Sequence, residues 1–364
     1  MNHNLLKHKK GIALLFAVLV VGACKKETSE NIAPKELNPS LKNVATVAAS
    51  YGEVTKSGST YTAKVNGATV YSGTDYIASI QAAVNNLTPG RTSKETVLVK
   101  NSGSSGNSGG ALKYVNLPHN TILDFNNTTF TCNSSDLLIV PVYADRKNNI
   151  EVKNLKVQGN PRYGIWFKGC NNMIISNITM NLTNGSGQYG LGIRVDNSTA
   201  STSNLTISGN INITGGDMSV ETYGVNGFNI GNVTSSNNYG CGVLLNQSKN
   251  GTVGTVTGHY NNNGGGYATF RVANNNGPNV TCTKVYSRNS GRGFFSVSGS
   301  NGCTVNNVDI ANTTKQGIFL EDASNTYVNS GTVSGGNPNV QHVRTSGCIT
   351  KVNGGTYTAA NGIW

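Results

Sequence analysis

Short runs in which apolar and polar residues alternate dominate the chain. Between Arg162 and Asp322 they read YGIWFKG, YGLGIRVD, SVETYG, YGCGVLLN, GYATFRVAN, GRGFFSVS and QGIFLED. Asn, Gly and Ser punctuate them, and they return roughly every 20–30 residues, the period of a repeat fold. Alternation is the pattern of a strand with one buried face. A strand at that period cannot bury its face alone and must stack on its neighbours as a solenoid. From about Leu112 the same pattern runs through YVNLP, TILDF, LLIVPVY and IEVKNLKV. The wording N-x-I-x-I-x-N recurs in NNMIISNITM, SNLTISGNINI, NGFNIGNV and NGCTVNNVDI. Asparagines at matching turn positions can bond from rung to rung and tolerate left-handed backbone. These features predict an all-β fold, a single-stranded parallel β-helix of about eleven or twelve turns at ~4.8 Å each.

Upstream the period changes. Thr74 and Asp75 precede Ile77, Ile80, Val84 and Leu87, which share one face at helical spacing, and Pro89-Gly90 follows. One amphipathic helix ahead of a solenoid reads as a cap over its open first turn. Residues 25–60 are polar and weakly patterned, a flexible tether. At the far end, Ile363-Trp364 closes the chain with no second cap in view. The expected layout is residues 1–23 as a leader, 24–60 as tether and 61–364 as the β-helix domain.

Composition supports turns over helices: 45 glycines and only 12% charged residues suit many tight turns and few charged helical faces. The formal net charge is +12, and from residue 61 onward 20 Lys/Arg stand against 12 Asp/Glu. That excess fits either a solubilising surface or an acidic partner, a polyanionic glycan or nucleic acid. The N-terminus favours the glycan. Lys7, Lys9 and Lys10 precede an apolar run from Ile12 to Val21, too short for a spanning helix but right for a secretory signal. The stretch Val21-Gly22-Ala23-Cys24 resembles a bacterial lipobox. That resemblance implies a lipidated Cys24, an anchor in the outer membrane or cell surface of a Gram-negative bacterium, and no nucleic-acid partner. Cys132, Cys170, Cys241, Cys282, Cys303 and Cys348 show no metal-ligand spacing and read as buried core thiols, with disulfides as the alternative.

The candidate leader, the DY..SIQAAVNNL helix, GRTSKETVLVKNSG, LPHNTILDF and the repeats together resemble the right-handed parallel β-helix carbohydrate enzymes. Within them they are most similar to polysaccharide lyases of pectate-lyase-like fold, some of which act on alginate. The resemblance implies an acidic polysaccharide substrate and, in many such lyases, a calcium ion. Only Asp196 and Glu221 lie close enough here to share an ion that needs six to eight oxygens, so no cofactor is expected.

Taking the bulky residues as inward places Ile165/Phe167, Ile193/Val195, Val243/Leu245, Phe270/Val272, Phe295/Val297 and Ile318/Leu320 in the core. The residues between them face solvent: Trp166/Lys168, Arg194/Asp196, Glu221/Tyr223, Leu244/Asn246, Thr269/Arg271, Phe294/Ser296 and Phe319/Glu321. Cations, acids and aromatics on one stripe suit an anionic sugar chain. β-Elimination at a uronate needs a cation for the carboxylate, a base for the neighbouring proton and an acid for the leaving oxygen. Arg194 and Arg271 are the candidate carboxylate binders. Lys168 or Tyr223 is the base, the latter with a phenol lowered by surrounding cations. Tyr223 or Tyr267 is the acid. Trp166, Glu221, Asn246, Tyr267, Phe294 and Glu321 complete the substrate-binding set, while His259 reads as a turn residue. Two other readings remain open: a glycoside hydrolase using Asp196 and Glu221 on neighbouring turns, and a glycan-binding surface lipoprotein without catalysis.

Overall fold

A computed structural model describes residues 49–183 and 190–360. The candidate leader, Cys24, the tether before residue 49 and Trp364 lie outside the described residues. Order begins earlier than the sequence pattern indicates. Tyr51–Ser57, Thr60–Val65 and Ala68–Gly73 form an antiparallel meander, so the end of the segment read as tether is a strand.

Helix α1 (Tyr76–Asn85) follows, and Asp75 caps it by accepting the Ala78 N–H at 3.0 Å. Tyr76, Ile77, Ile80, Ala83 and Val84 face the core, each large side chain contributing about 1.5–3 kcal/mol by burial. Gln81 closes the first rung. Its side-chain amide donates to the Asn116 carbonyl at 3.2 Å and accepts the Asn116 N–H at 2.7 Å. One amide thereby supplies the hydrogen bonds that a preceding strand would have made.

The body is the expected parallel β-helix. Its strands form a sheet of ten, in which each strand pairs in parallel with the next rung, and a sheet of nineteen. Ten rungs at ~4.8 Å span roughly 45 Å. At the C-terminal end Gly355–Tyr357 turns back antiparallel on Ile349–Val352, and Tyr357 packs against the core. The asparagine ladders form as anticipated. Asn177 donates to Asn154 at 3.1 Å, Asn154 to Asp124 at 2.9 Å, and Asn204 to Asn172 at 3.0 Å. All four asparagines have φ between 53° and 58°, the left-handed region they tolerate best.

All six described cysteines are buried and unbridged, but they divide between faces. Cys241 belongs to a small apolar cluster on the outer side of the ten-stranded sheet, with Leu191, Met218, Leu244, Phe295 and Phe319. The other five sit in the main core.

Candidate functional site

The ten-stranded sheet carries the stripe. Its register aligns one outward column of Tyr143, Trp166, Arg194, Glu221, Leu244, Arg271, Phe295 and Phe319. Beside it runs a second column of Asp145, Lys168, Asp196, Tyr223 and Asn246. The four residues assigned to chemistry from the sequence, Lys168, Arg194, Tyr223 and Arg271, therefore share one face.

Two orientations differ from the sequence reading. Phe294 aligns with Phe270 and Ile318 and is fully buried, and Ser296 aligns with Val272 and Leu320. Phe295 is the outward ring, so the strand is offset by one residue. Thr269 is also inward, its hydroxyl 2.7 Å from that of Ser287. The cause is a column of glycines at the sheet's corner. Side chains from the other sheet fill the space where their Cβ atoms would be: Met180 at Gly164, Ile213 at Gly192, Ile310 at Gly293 and Val333 at Gly317. Each glycine immediately precedes the first inward residue. Gly293 thus fixes Phe294 inward, where alternation alone could not choose between two adjacent phenylalanines.

The stripe has two chemically different halves. In the first, Asp196 Oδ2 accepts from Trp166 Nε1 at 2.9 Å and from Arg194 Nε at 2.9 Å, while its Oδ1 accepts the Ser198 N–H at 3.0 Å. Arg194 also pairs with Glu221 Oε2, and Glu221 Oε1 accepts from Asn246 at 2.9 Å. Asn274 extends the chain by donating to Asn246 at 2.9 Å. Burial alone would raise Asp196, but hydrogen bonds from Ser198, Trp166 and Arg194 outweigh it and hold the carboxyl below its ordinary value. Burial pushes Glu221 up against the pull of Arg194. Every carboxylate oxygen in this knot has a partner, and the Arg194 charge is matched twice over.

The second half is cationic. Arg271 lies 4.8 Å from the Tyr267 ring centroid and 5.1 Å from that of Phe295. Arg292 covers Phe295 at 4.5 Å and Phe319 at 4.9 Å, and the two phenylalanine rings stack 5.1 Å apart. Among the described residues, neither guanidinium is within 4.0 Å of a carboxylate, and Arg271 Nε is buried without a hydrogen-bond partner. Burial, aided by the charge of Arg271, lowers the Arg292 guanidinium from its ordinary value despite Glu321. Arg292 Nε donates to Gln316 Oε1 at 2.8 Å, and two neighbouring cations without a salt bridge among the described residues can receive an anion.

The remaining candidates are more dispersed. Lys168 rests over the Trp166 ring at 5.0 Å, four rungs from Arg271. The column neighbours of Tyr223 are Asp196 and Asn246, not the cations expected around it. Tyr267 stands exposed at the rim beside Arg271. Glu321 pairs with Arg344 at 3.0 Å. Arg292 was missed, and Phe295 was read as inward; the glycine at 293 is the signal that turns Phe295 outward.

Asp217 was missed as well. Its side chain shares the space over Gly240 with Met218: a Cβ there would lie 2.5 Å from Met218 Cε and 2.8 Å from Asp217 Oδ1. That oxygen is buried without a partner. Burial, with the Glu221 charge adding, pushes its carboxyl up to about 6. Nearby, burial raises the Cys241 thiol to about 12 against the pull of Arg271, so this cysteine is no nucleophile.

Two surface depressions lie elsewhere. One of ≈ 560 Å³ is lined by Phe228, Asn250, Thr252, Thr281 and Thr304 on the other sheet, and one of ≈ 530 Å³ lies at a corner beside Tyr239 and Tyr260. Neither is lined by a residue of the two stripe columns. Among the described residues, no group of three or more His, Cys, Asp or Glu side chains is placed to hold a metal ion.

No protein-family model matches the chain, and no curated protein matches it in sequence. Solved structures similar in backbone course include a mutant of the periplasmic alginate epimerase AlgG, with a TM-score of 0.45 and 11% identity over 75% of this chain and 82% of that one. The A-module of the Azotobacter vinelandii mannuronan C-5 epimerase AlgE6 gives 0.43 and 14%, over 74% and 75%. PfbA, a surface adhesin of Streptococcus pneumoniae, gives 0.33 and 11%, over 80% and 90%.

Proposed function

We propose that this chain acts on an anionic, uronate-containing polysaccharide, alginate or a related polyuronate, laid along the ten-stranded sheet and cleaved by β-elimination. The observation that carries the reading is the pair Arg271 and Arg292: two guanidiniums on aromatic faces, without carboxylate partners among the described residues, beside the exposed phenol of Tyr267. Planar guanidinium suits a sugar carboxylate, and neutralising that carboxylate acidifies the adjacent C–H. A base then removes this proton, the C–C double bond forms, the bond to the glycosidic oxygen breaks, and an acid protonates that oxygen.

Tyr267 suits the acid role because its ring neighbours Arg271. Tyr223, two rungs away along the stripe, keeps the base role assigned from the sequence, although its column neighbours are Asp196 and Asn246 and not cations. Lys168 and Trp166 lie too far along the rod to serve the same sugar, and are assigned to a more distant unit of the polymer. Arg194 is assigned to holding the trough wall, because its charge is already matched by Asp196 and Glu221. The same pairing weighs against a hydrolase built on those two carboxylates, since both are fully engaged in hydrogen bonds. Lipid attachment at Cys24 would place the enzyme at the cell surface or periplasm; mass spectrometry of the Cys24 peptide reads this directly.

The test is incubation of the full chain with alginate, polygalacturonate, glucuronan and glycosaminoglycans while following ultraviolet absorbance of the unsaturated product. Arg271→Ala is expected to cost at least a hundredfold in rate at unchanged melting temperature. New reducing ends without absorbance would indicate hydrolysis. Saturable binding without cleavage would indicate a binding protein. Deuterium uptake from heavy water into an intact polymer would mean that the proton is removed but the leaving oxygen stays.

A further inference from the structure

Four large hydrophobic side chains of the described residues are exposed, and three of them converge on one corner of the rod: Tyr239 at 53%, Tyr260 at 48% and Tyr267 at 37%. Single exposed tyrosines are ordinary on a protein surface. Here Tyr239 and Tyr260 instead flank the depression of ≈ 530 Å³, whose other walls are Asn237, Asn238, Asn262, Asn263 and Gly265. Among the described residues no charged side chain lines it, although the neighbouring stripe is defined by charge.

The wall is built. Asn262 donates to the Tyr239 carbonyl and accepts the Tyr267 N–H at 2.6 Å. The loop tip is pinned where the Gly264 N–H meets Thr314 Oγ1 at 3.0 Å. Below it Gly291 leaves room for the loop: a Cβ there would lie 2.6–2.7 Å from the carbonyls of Asn262, Gly265 and Tyr267. Through Asn262 and Tyr267 this corner joins directly to Arg271.

We infer that this corner is a binding subsite for an uncharged pyranose unit. Tyrosine faces stack on the C–H face of a sugar ring, and the exposed amides of Asn237 and Asn263 present the paired donor and acceptor that vicinal hydroxyls require. A depression of this size falls within the range of small-ligand sites. Taken with the proposed uronate site at Arg271 and Arg292, on which this part rests, the polymer that fills both is a mixed one. It carries a neutral sugar at the corner and a uronate on the cationic half.

The experiment is affinity electrophoresis of the full chain in gels containing a neutral β-linked glucan or mannan, a homopolyuronate, or a glycan mixing neutral and uronate sugars. Tyr239→Ala/Tyr260→Ala and Arg271→Ala are run beside it, with thermal melting to confirm folding; both tyrosines are exposed, so melting is expected to be unchanged. Retention by the mixed glycan is expected to weaken about tenfold or more in the tyrosine variant, since two ring contacts are lost. Retention by the homopolyuronate should fall only in Arg271→Ala. A tyrosine variant retained by the mixed and neutral glycans as strongly as the native chain overturns the subsite and leaves the uronate reading standing. Retention by the neutral glycan alone, lost in the tyrosine variant, supports the subsite and removes the uronate reading. No retention by any of the three overturns both.

Discussion

Asp217→Asn should make the protein more stable, by an amount that grows as pH rises from about 4 to 7. The carboxyl is 7% exposed, one oxygen has no partner, and burial beside Glu221 lifts it from 3.8 to about 6. The folded chain therefore binds this proton more tightly than the unfolded chain does. Stability from the group is fully present below 3.8 and is lost as pH rises through about 6. The difference between the two values corresponds to about 3 kcal/mol. Asparagine has the same shape and never ionises, so its advantage should be near zero at pH 3, about half developed near pH 5 and complete by pH 7. His342 must be separated out. Burial lowers its imidazole from 6.5 to about 4, so its contribution is present above 6.5 and lost as pH falls toward 4, the opposite sense over much of the same interval. Paired denaturant titrations of native and variant chains at each pH cancel His342 and every other shared group. A stability difference that stays flat from pH 3 to pH 8 would refute the argument that this carboxyl is buried as an acid.

Other changes test the architecture. Arg194→Met should cost about 3 kcal/mol, because it strands Asp196 and Glu221 in a buried setting without their cation. Adding Glu221→Gln should recover part of that loss in the same unfolding assay, and a methionine variant as stable as the native chain would mean that the knot contributes nothing. Phe294→Ala should cost roughly 3–5 kcal/mol, as for a fully buried ring. Phe295→Ala, in the smaller outer cluster beneath Arg271 and Arg292, should cost less in denaturant midpoint; the reverse order would restore the register first read from alternation.

The fold was legible because a solenoid writes its period into the sequence. Alternating runs, asparagine turns and the helix before Pro89 each reappear in the structure with the role assigned to them. The start of the body was less legible, since Tyr51–Ser57 earns its place by pairing with a strand more than forty residues later. The inward-outward reading failed at Thr269, which turns inward, and at GRGFFS, where two phenylalanines satisfy the alternation equally and packing at Gly293 decides. The stripe was visible as a set of residue types, but their pairing was not. Whether Arg194 is free or neutralised depends on two carboxylates reached by its own rotamer, and which cations remain unmatched depends on three rungs at once. Asp217 and Tyr260 left no periodic trace, because both belong to the turns; Tyr239 and Tyr267 stand at the start of repeat motifs, but their convergence on one corner was not legible.

The division between a neutralised knot and a cationic pair without salt bridges also gives the stripe a direction. A filament lying along the rod meets hydrogen-bonded, electrically balanced groups toward the capped end and bare positive charge toward the other. Sugar chains are themselves polar, with distinguishable ends. On the proposed function, reversing such a chain on the stripe would not give an equivalent complex, so one orientation would be favoured on docking.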